Sequence, residues 1–424
     1  MFLGFDFGTS GARACIIDNH KAILWTQRVA YPVPAEQTPQ EWRNALHTLL
    51  SALPKNYAAQ LQGIAINGTS ASVLLVDDAM EPVSQALLYH DNRALQQATQ
   101  LKTIAPDDHL VCTSNSGLAK FLWLTHQYRN MQAEYFLHQA DWLTALLSGK
   151  PGISDYHNAL KTGYDVEQLC WPGWVLSLPN ARLLPKVLAP GTIITKIQAD
   201  IAAHFDINPK CVIHVGTTDS SAAFIASGAT EIGTGVTSLG STLVLKQLSK
   251  QRIDAAEYGV YSHRYGDLWL VGGASNCGAA VLQQFFNNTQ IAALSAGIDP
   301  KKSSPLDYYP LSQRGERFPV NDPKLEPRLK PRPADDAEFL HGLLQSLARI
   351  EASGYAKLAE LGAPPLERVI SNGGGSENIT WQTIRQTLLK VPVGIAAHTE
   401  AAYGTAHLCL SNQQKSSKQN TIYT

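Results

Sequence analysis

Val212-Ile-His-Val-Gly-Thr-Thr-Asp-Ser-Ser-Ala-Ala-Phe-Ile-Ala-Ser-Gly228 is the stretch on which the reading of this chain turns. Val212–Val215 predicts a buried strand, Gly216-Thr217-Thr218 a polar turn, and Ser220–Ser227 a helix of small residues closed by Gly228. Asp219 therefore stands where a strand hands over to a helix. In α/β folds ligands bind at such places, because the crevice lies beyond the carboxyl ends of the strands and a helix start offers unpaired N–H groups. Position alone leaves two readings of Asp219 open: a helix cap, for which Asp is favoured, or a carboxylate directed at a ligand. The next segment, Gly235-Val-Thr-Ser-Leu-Gly-Ser-Thr-Leu-Val-Leu-Lys246, reads as strand, Gly-Ser-Thr turn and strand. It repeats the N-terminus, where Met1–Gly4 leads as a strand into Phe5-Asp6-Phe7-Gly8-Thr9-Ser10-Gly11-Ala12-Arg13 and Ala14–Ile17 returns. Glycines with Thr and Ser in a hairpin turn gather N–H groups and hydroxyls as phosphate oxygens require, although an ordinary turn has the same composition.

Composition narrows the class. A length of 424 residues allows two or three domains, and 44% hydrophobic with 16% charged residues is enough for a sizeable core. Lys plus Arg is 34 against 35 Asp plus Glu, a formal charge of -1, which leaves no broad basic footprint for nucleic acid. The six cysteines are scattered without a Cys-x-x-Cys pair, which argues against a zinc site and a disulfide framework and for core thiols of a reducing compartment. No apolar run reaches membrane-spanning length and no targeting segment is legible, so a cytoplasmic enzyme without a membrane partner is expected.

Along the chain, Thr38-Pro39-Gln40-Glu41 has the form of a capping box, and Trp42, Ala45, Leu46, Leu49, Leu50 and Leu53 follow at helical spacing. Gly63–Ile66 predicts a strand running into Asn67-Gly68-Thr69-Ser70, with Val73–Val76 as its partner. This turn fits either a polyol or no ligand at all. Leu87–Arg93 ends an apolar stretch on hydrogen-bonding side chains, including Asp91 and Arg93, and about 110–165 reads as mostly helical. The second half begins near Ala229. There, Leu268–Val271 predicts a strand ending at Gly272-Gly273, Ser275–Phe286 a helix, Pro319–Pro333 an extended surface loop and Phe339–Ile350 an amphipathic helix. Arg368–Asn372 is a strand, Gly373-Gly374-Gly375 a turn and Ser376–Leu389 a helix. Three glycines there let a flat ligand or a phosphate approach the backbone without a Cβ in the way. The polar tail 411–424 is expected to be disordered.

The series Asp6-Phe7-Gly8-Thr9-Ser10, Gly216-Thr217-Thr218-Asp219-Ser220, Ser238-Leu239-Gly240-Ser241-Thr242, Tyr309-Pro310 with Gly315-Glu316-Arg317, Gly373-Gly374-Gly375 with Asn378, and Glu400-Ala401-Ala402-Tyr403-Gly404 resembles the motifs of the FGGY carbohydrate kinases. The motifs come in the family's order, and Ser116–Gln127, with Lys120 and Trp123, is similar to one family signature. Among members, the chain is most similar to the short D-ribulose (xylulose kinase-like) kinases of cyanobacteria and plants. The resemblance implies an α/β fold of two actin-like, ribonuclease H-like domains with an interdomain cleft: a sugar-binding domain, 1–228, and a nucleotide-binding domain, 229–410. It also implies a monomer or homodimer whose ligands are a sugar, ATP and Mg2+. On the same ground Asp219 matches the catalytic base and a sugar contact, Asp6 the aspartate near metal and sugar, and Ser70 a sugar-contacting serine. Ser10, Gly11, Ala12, Arg13, Gly240, Ser241 and Thr242 match the phosphate loops, and Gly374, Gly375 and Asn378 the nucleoside site. Tyr89 stands where many members have Trp before Asp-x-Arg, a departure that bears on the sugar. The expected reaction is phosphorylation of a ketopentose at its primary hydroxyl, D-ribulose first, with D-xylulose or a non-kinase actin-like ATPase as alternatives.

Overall fold

The computed structural model describes residues 1–33 and 36–420. Packing divides the chain into two units, Met1–Ala226 with Glu400–Thr424, and Ser227–Thr399.

In the first unit, Phe2–Phe7 pairs antiparallel with Gly11–Ile17, which pairs antiparallel with Ile23–Ala30. On its other side Phe2–Phe7 runs parallel to Gly63–Gly68, followed by Val212–His214 and Ile193–Lys196. Thr217–Thr218 also pairs with Gly63–Gly68, completing a seven-stranded sheet. Side chains alternate across a strand. Leu3, Phe5 and Phe7 thus enter one core with Trp42 and Leu46 of the helix Pro39–Ser51, whose capping box at Thr38 is present as expected. Phe2 enters the opposite core with Cys15, Ala402 and Tyr403. Asp6 has the parity of Phe2, so it emerges on the face covered by the last helix, Ala401–Asn420.

The second unit repeats the pattern. Thr234–Leu239 pairs antiparallel with Leu243–Ser249 and parallel with Arg368–Asn372, and the six-stranded order is completed by Tyr261–Tyr265, Leu268–Ser275 and Val393–Ile395. The 25-residue helix Asp336–Glu360 covers this sheet with Phe339, Leu343 and Leu347.

Several expectations change. Val73–Val76 pairs with Tyr135–His138 in a separate two-stranded sheet, while the intended partner Gly63–Gly68 is taken on both edges by the main sheet. The reach from 110 to 165 contains that strand and Ile153–Asp155 between its helices. The last helix packs in the first unit, although in sequence order it follows the second. Its backbone continues to Asn420, where a disordered tail is expected from 411, and 421–424 lie outside the described residues.

Candidate functional site

In the first unit the strand register sets one row of polar residues. Asp6 lies opposite Arg13 on one neighbour and beside Asn67 on the other. Arg13 Nη1 is 3.6 Å from Asp6 Oδ2 and 3.2 Å from Glu400 Oε2. Asp6 is 4% exposed. Burial, and then the charge of Asp219, push its carboxyl up to about 7, with Arg13 and Asn67 opposing. Asp6 and Asp219 therefore share one electrostatic site. Asp219 opens the helix Asp219–Ala226 and accepts the N–H of Ser220 at 2.6 Å, so the positive end of the helix lies against its carboxylate. That contact suits a cap and a base alike.

The turn between the first two strands has its carbonyls engaged: Gly11 accepts from Gly8 N–H, Ser10 from Tyr31 N–H, and Thr9 from Gln37 Nε2 at 2.7 Å. Thr9 and Ser10 are exposed, whereas the Ala12 methyl lies in the apolar core, so any contact Ala12 makes with a ligand is through its backbone. Past Gly63–Gly68, Thr69 is held by Gln139 and Ser72, and the buried Ser70 hydroxyl has no partner among the described residues. An unpartnered buried hydroxyl costs about 1–3 kcal/mol, which a ligand hydroxyl would recover.

No group of three or more His, Cys, Asp or Glu side chains gathers as a metal site among the described residues. Magnesium needs no such cage, because it keeps waters and is held through one or two carboxylates and substrate phosphates. Asp6 fits: it is a buried carboxylate with a second one, Asp219, close enough to act on its charge.

In the second unit a cavity of about 700 Å³ is lined by Gly240, Ser241, Gly374, Gly375, Asn378 and Trp381, among others, but not by Thr242. The Gly240 and Ser241 carbonyls accept from Ala279 and Ala280 at the start of the helix Ala279–Leu282. Asn378 caps the helix Ile379–Leu389 by accepting Trp381 N–H at 2.9 Å, and donates to Ser295 at 2.8 Å. Asn378 thus builds the cavity wall as a cap. Trp381 Nε1 is buried without a partner among the described residues.

Three residues that the motifs contain gain a place that the motifs do not assign. Glu400 matters only because the last helix returns to the first unit. Asn67 gains its place from strand register. Lys120 had a visible signal, a lone charge inside Leu118-Ala119-Lys120-Phe121-Leu122.

Two ribonuclease H-like units, one with a carboxylate pair beside a hydroxyl-bearing turn and the other with a cavity under glycine turns, define an actin-like α/β phosphotransferase. Residues 1–226 match the N-terminal domain, and 230–412 the C-terminal domain, of the FGGY family of carbohydrate kinases. The chain belongs to that family, and its enzyme class is sugar kinase. It is 23% identical to the xylulose kinase of Escherichia coli (strain K12) over 409 residues, 90% of this chain and 83% of that one. It is 25% identical to the xylulose kinase of Lactococcus lactis over 262 residues, 57% of this chain and about half (52%) of that relative. In fold it is similar to the crystal structure of a xyloylose kinase from Brucella ovis, with a TM-score of 0.83 at 23% identity, covering 97% of this chain and 90% of the other.

Proposed function

We propose that this kinase transfers the γ-phosphoryl group of ATP to the primary hydroxyl of a ketopentose, with D-ribulose the best acceptor and D-xylulose a weaker one. The observation that carries the mechanism is the pair Asp6 and Asp219, two carboxylates whose charges act on each other at the ends of the two strands that flank Gly63–Gly68, beside a hydroxyl-bearing turn. Phosphoryl transfer to an alcohol needs alignment, neutralisation of the phosphate oxygens and a group to take the hydroxyl proton. Asp219 takes that proton. Ser220 N–H at the helix start donates to this carboxylate and orients it for that transfer. Asp6 would hold Mg2+, which would supply neutralisation of the phosphate oxygens. Ser10, Gly11, Ala12 and Arg13 steady the transferring phosphate, and Ser70 offers its spare hydroxyl to the sugar. In the second unit Gly240, Ser241 and Thr242 bear the other phosphates, while Gly374, Gly375 and Asn378 form the nucleoside wall.

A second reading, D-xylulose as best acceptor, is favoured by the relatives named xylulose kinases. A coupled ADP-release screen over ketopentoses, polyols and hexoses separates the two. D-ribulose should give the highest kcat/KM. Faster D-xylulose turnover selects the second reading, and equal or better turnover of glycerol or a hexose rejects both.

A further inference from the structure

Lys120 closes the first turn of the helix Gly117–Gln127, and its side chain is fully buried. Removing an ammonium from water is costly even after relaxation, so a buried lysine without a carboxylate against it requires a reason. The partners of Nζ are two backbone carbonyl oxygens, Ala71 at 2.8 Å and Leu88 at 2.6 Å. Burial lowers the pKa of the amine to about 7, with the charge of Asp91 opposing the shift and that of Lys161 adding to it.

Both carbonyls belong to segments rich in polar groups. Ala71 follows Ser70, the serine with the unpartnered hydroxyl, and holds φ +62°, a left-handed conformation that an alanine keeps only under external support. Leu88 leads into Tyr89–Arg93. The two segments already touch, since Tyr89 N–H donates to Ser72 Oγ at 2.9 Å. One helical step from Lys120, Trp123 lies under the Arg93 guanidinium at 5.2 Å, and Arg93 is tied to Asp91 at 2.8 Å. Residues three apart share a helix face, so a single face of Gly117–Gln127 fixes both segments.

We propose that Lys120 is a positioning residue for the acceptor sugar: its ammonium fastens the Ser70–Ala71 turn to the Leu88–Arg93 segment, and the spacing so fixed determines how the sugar's hydroxyls are met. The inference rests on the reading that these segments contact the sugar. It adds that acceptor recognition, and not merely folding of the unit, depends on a lysine that touches no substrate atom.

The test uses the full chain, with the best acceptor identified in the wild-type screen. Lys120→Met preserves length and apolar bulk and removes the donors. Its acceptor KM should rise about tenfold or more, while the ATP KM stays within about twofold. Hydrogen exchange should quicken in peptides covering 69–73 and 87–92, and not in those covering 2–17. If Lys120→Met fails to fold, Lys120→Arg keeps the charge and donors but displaces them, and should show the same KM split. An unchanged acceptor KM in a folded variant, equal rises in both KM values, or failure of both variants to fold overturns the proposal. A wild-type protein that phosphorylates no ketopentose refutes the functional reading instead, and that result precedes any variant.

Discussion

The two units share a strand order and a turn, yet the same positions carry different chemistry. Two residues before its first glycine the first unit has Asp6 and the second Ser238. Across the hairpin, Asp6 faces Arg13 while Ser238 faces Val244, and on the parallel neighbour both face an asparagine, Asn67 and Asn372. Each asparagine buries a side-chain oxygen that has no partner among the described residues. The common scaffold therefore supplies a turn and an amide, and the substituted row decides the rest. In the first unit the row is charged and coupled to Asp219. In the second it is neutral and stands beside a cavity walled by Leu239, Ile291 and Trp381. Under the proposed function, reactive chemistry belongs to the first unit and nucleoside binding to the second.

The sharpest way to break this comparison is Asp219→Asn. Asparagine caps a helix about as well as aspartate but cannot accept the hydroxyl proton. Sugar-dependent turnover should fall by about 10²- to 10⁴-fold, the usual worth of general-base assistance, while melting temperature and ATP affinity hold. Normal turnover would leave Asp219 as a cap alone.

Next comes Asp6→Asn. Turnover should drop by roughly 10²-fold, the scale for losing one preorganised electrostatic group, and stability should move the other way. The folded-state pKa of Asp6 is raised to about 7. The native fold therefore holds a proton that the unfolded chain gives up near pH 4, and wild-type stability falls between about pH 4 and pH 7. Thermal melts without ligand should show the variant gaining on wild type across that window and keeping a constant advantage above it. A variant less stable at pH 8 than wild type would mean that Arg13 and Asn67 outweigh burial.

The smallest expected effect is at Gly374. A Cβ there meets nothing within 4 Å, whereas at Gly375 it would lie 2.5 Å from the Trp381 ring, and Gly373 holds φ +83°. Gly374→Val should therefore fold normally and raise the ATP KM about tenfold, close to 1.4 kcal/mol of binding. Gly375→Val, the substitution that the triplet alone suggests, confounds binding with packing. An unchanged ATP KM in Gly374→Val returns the triplet to an ordinary turn.

What the sequence made legible was local: the duplicated hairpin, the capping box at Thr38, and Asp219 at a strand-to-helix junction. What it hid was decided at a distance. The strand through Leu268–Ser275 runs on past Gly272-Gly273 because those glycines admit the Leu245 carbonyl and the Phe318 ring against the backbone. The helix expected from Ser275 begins only at Ala279, since Glu316 takes the Ser275 hydroxyl at 2.6 Å and the Asn276 N–H at 2.7 Å. Strand partners are similarly non-local: Val73–Val76 pairs with Tyr135–His138, far along the chain, and not with its sequence neighbour. The row Asp6, Arg13 and Asn67 needs register, and Glu400 needs the chain's return to the first unit. No periodicity encodes either.

The division of labour is tested most directly by titrating one ligand at a time, by calorimetry, into wild type, Asp219→Asn and Gly374→Val. A nonhydrolysable ATP analogue with Mg2+ should bind Asp219→Asn as it binds wild type and bind Gly374→Val about tenfold more weakly. The acceptor sugar should bind Gly374→Val as it binds wild type. A Gly374→Val variant that loses sugar affinity as much as nucleotide affinity would contradict the assignment of nucleoside binding to the second unit and acceptor chemistry to the first.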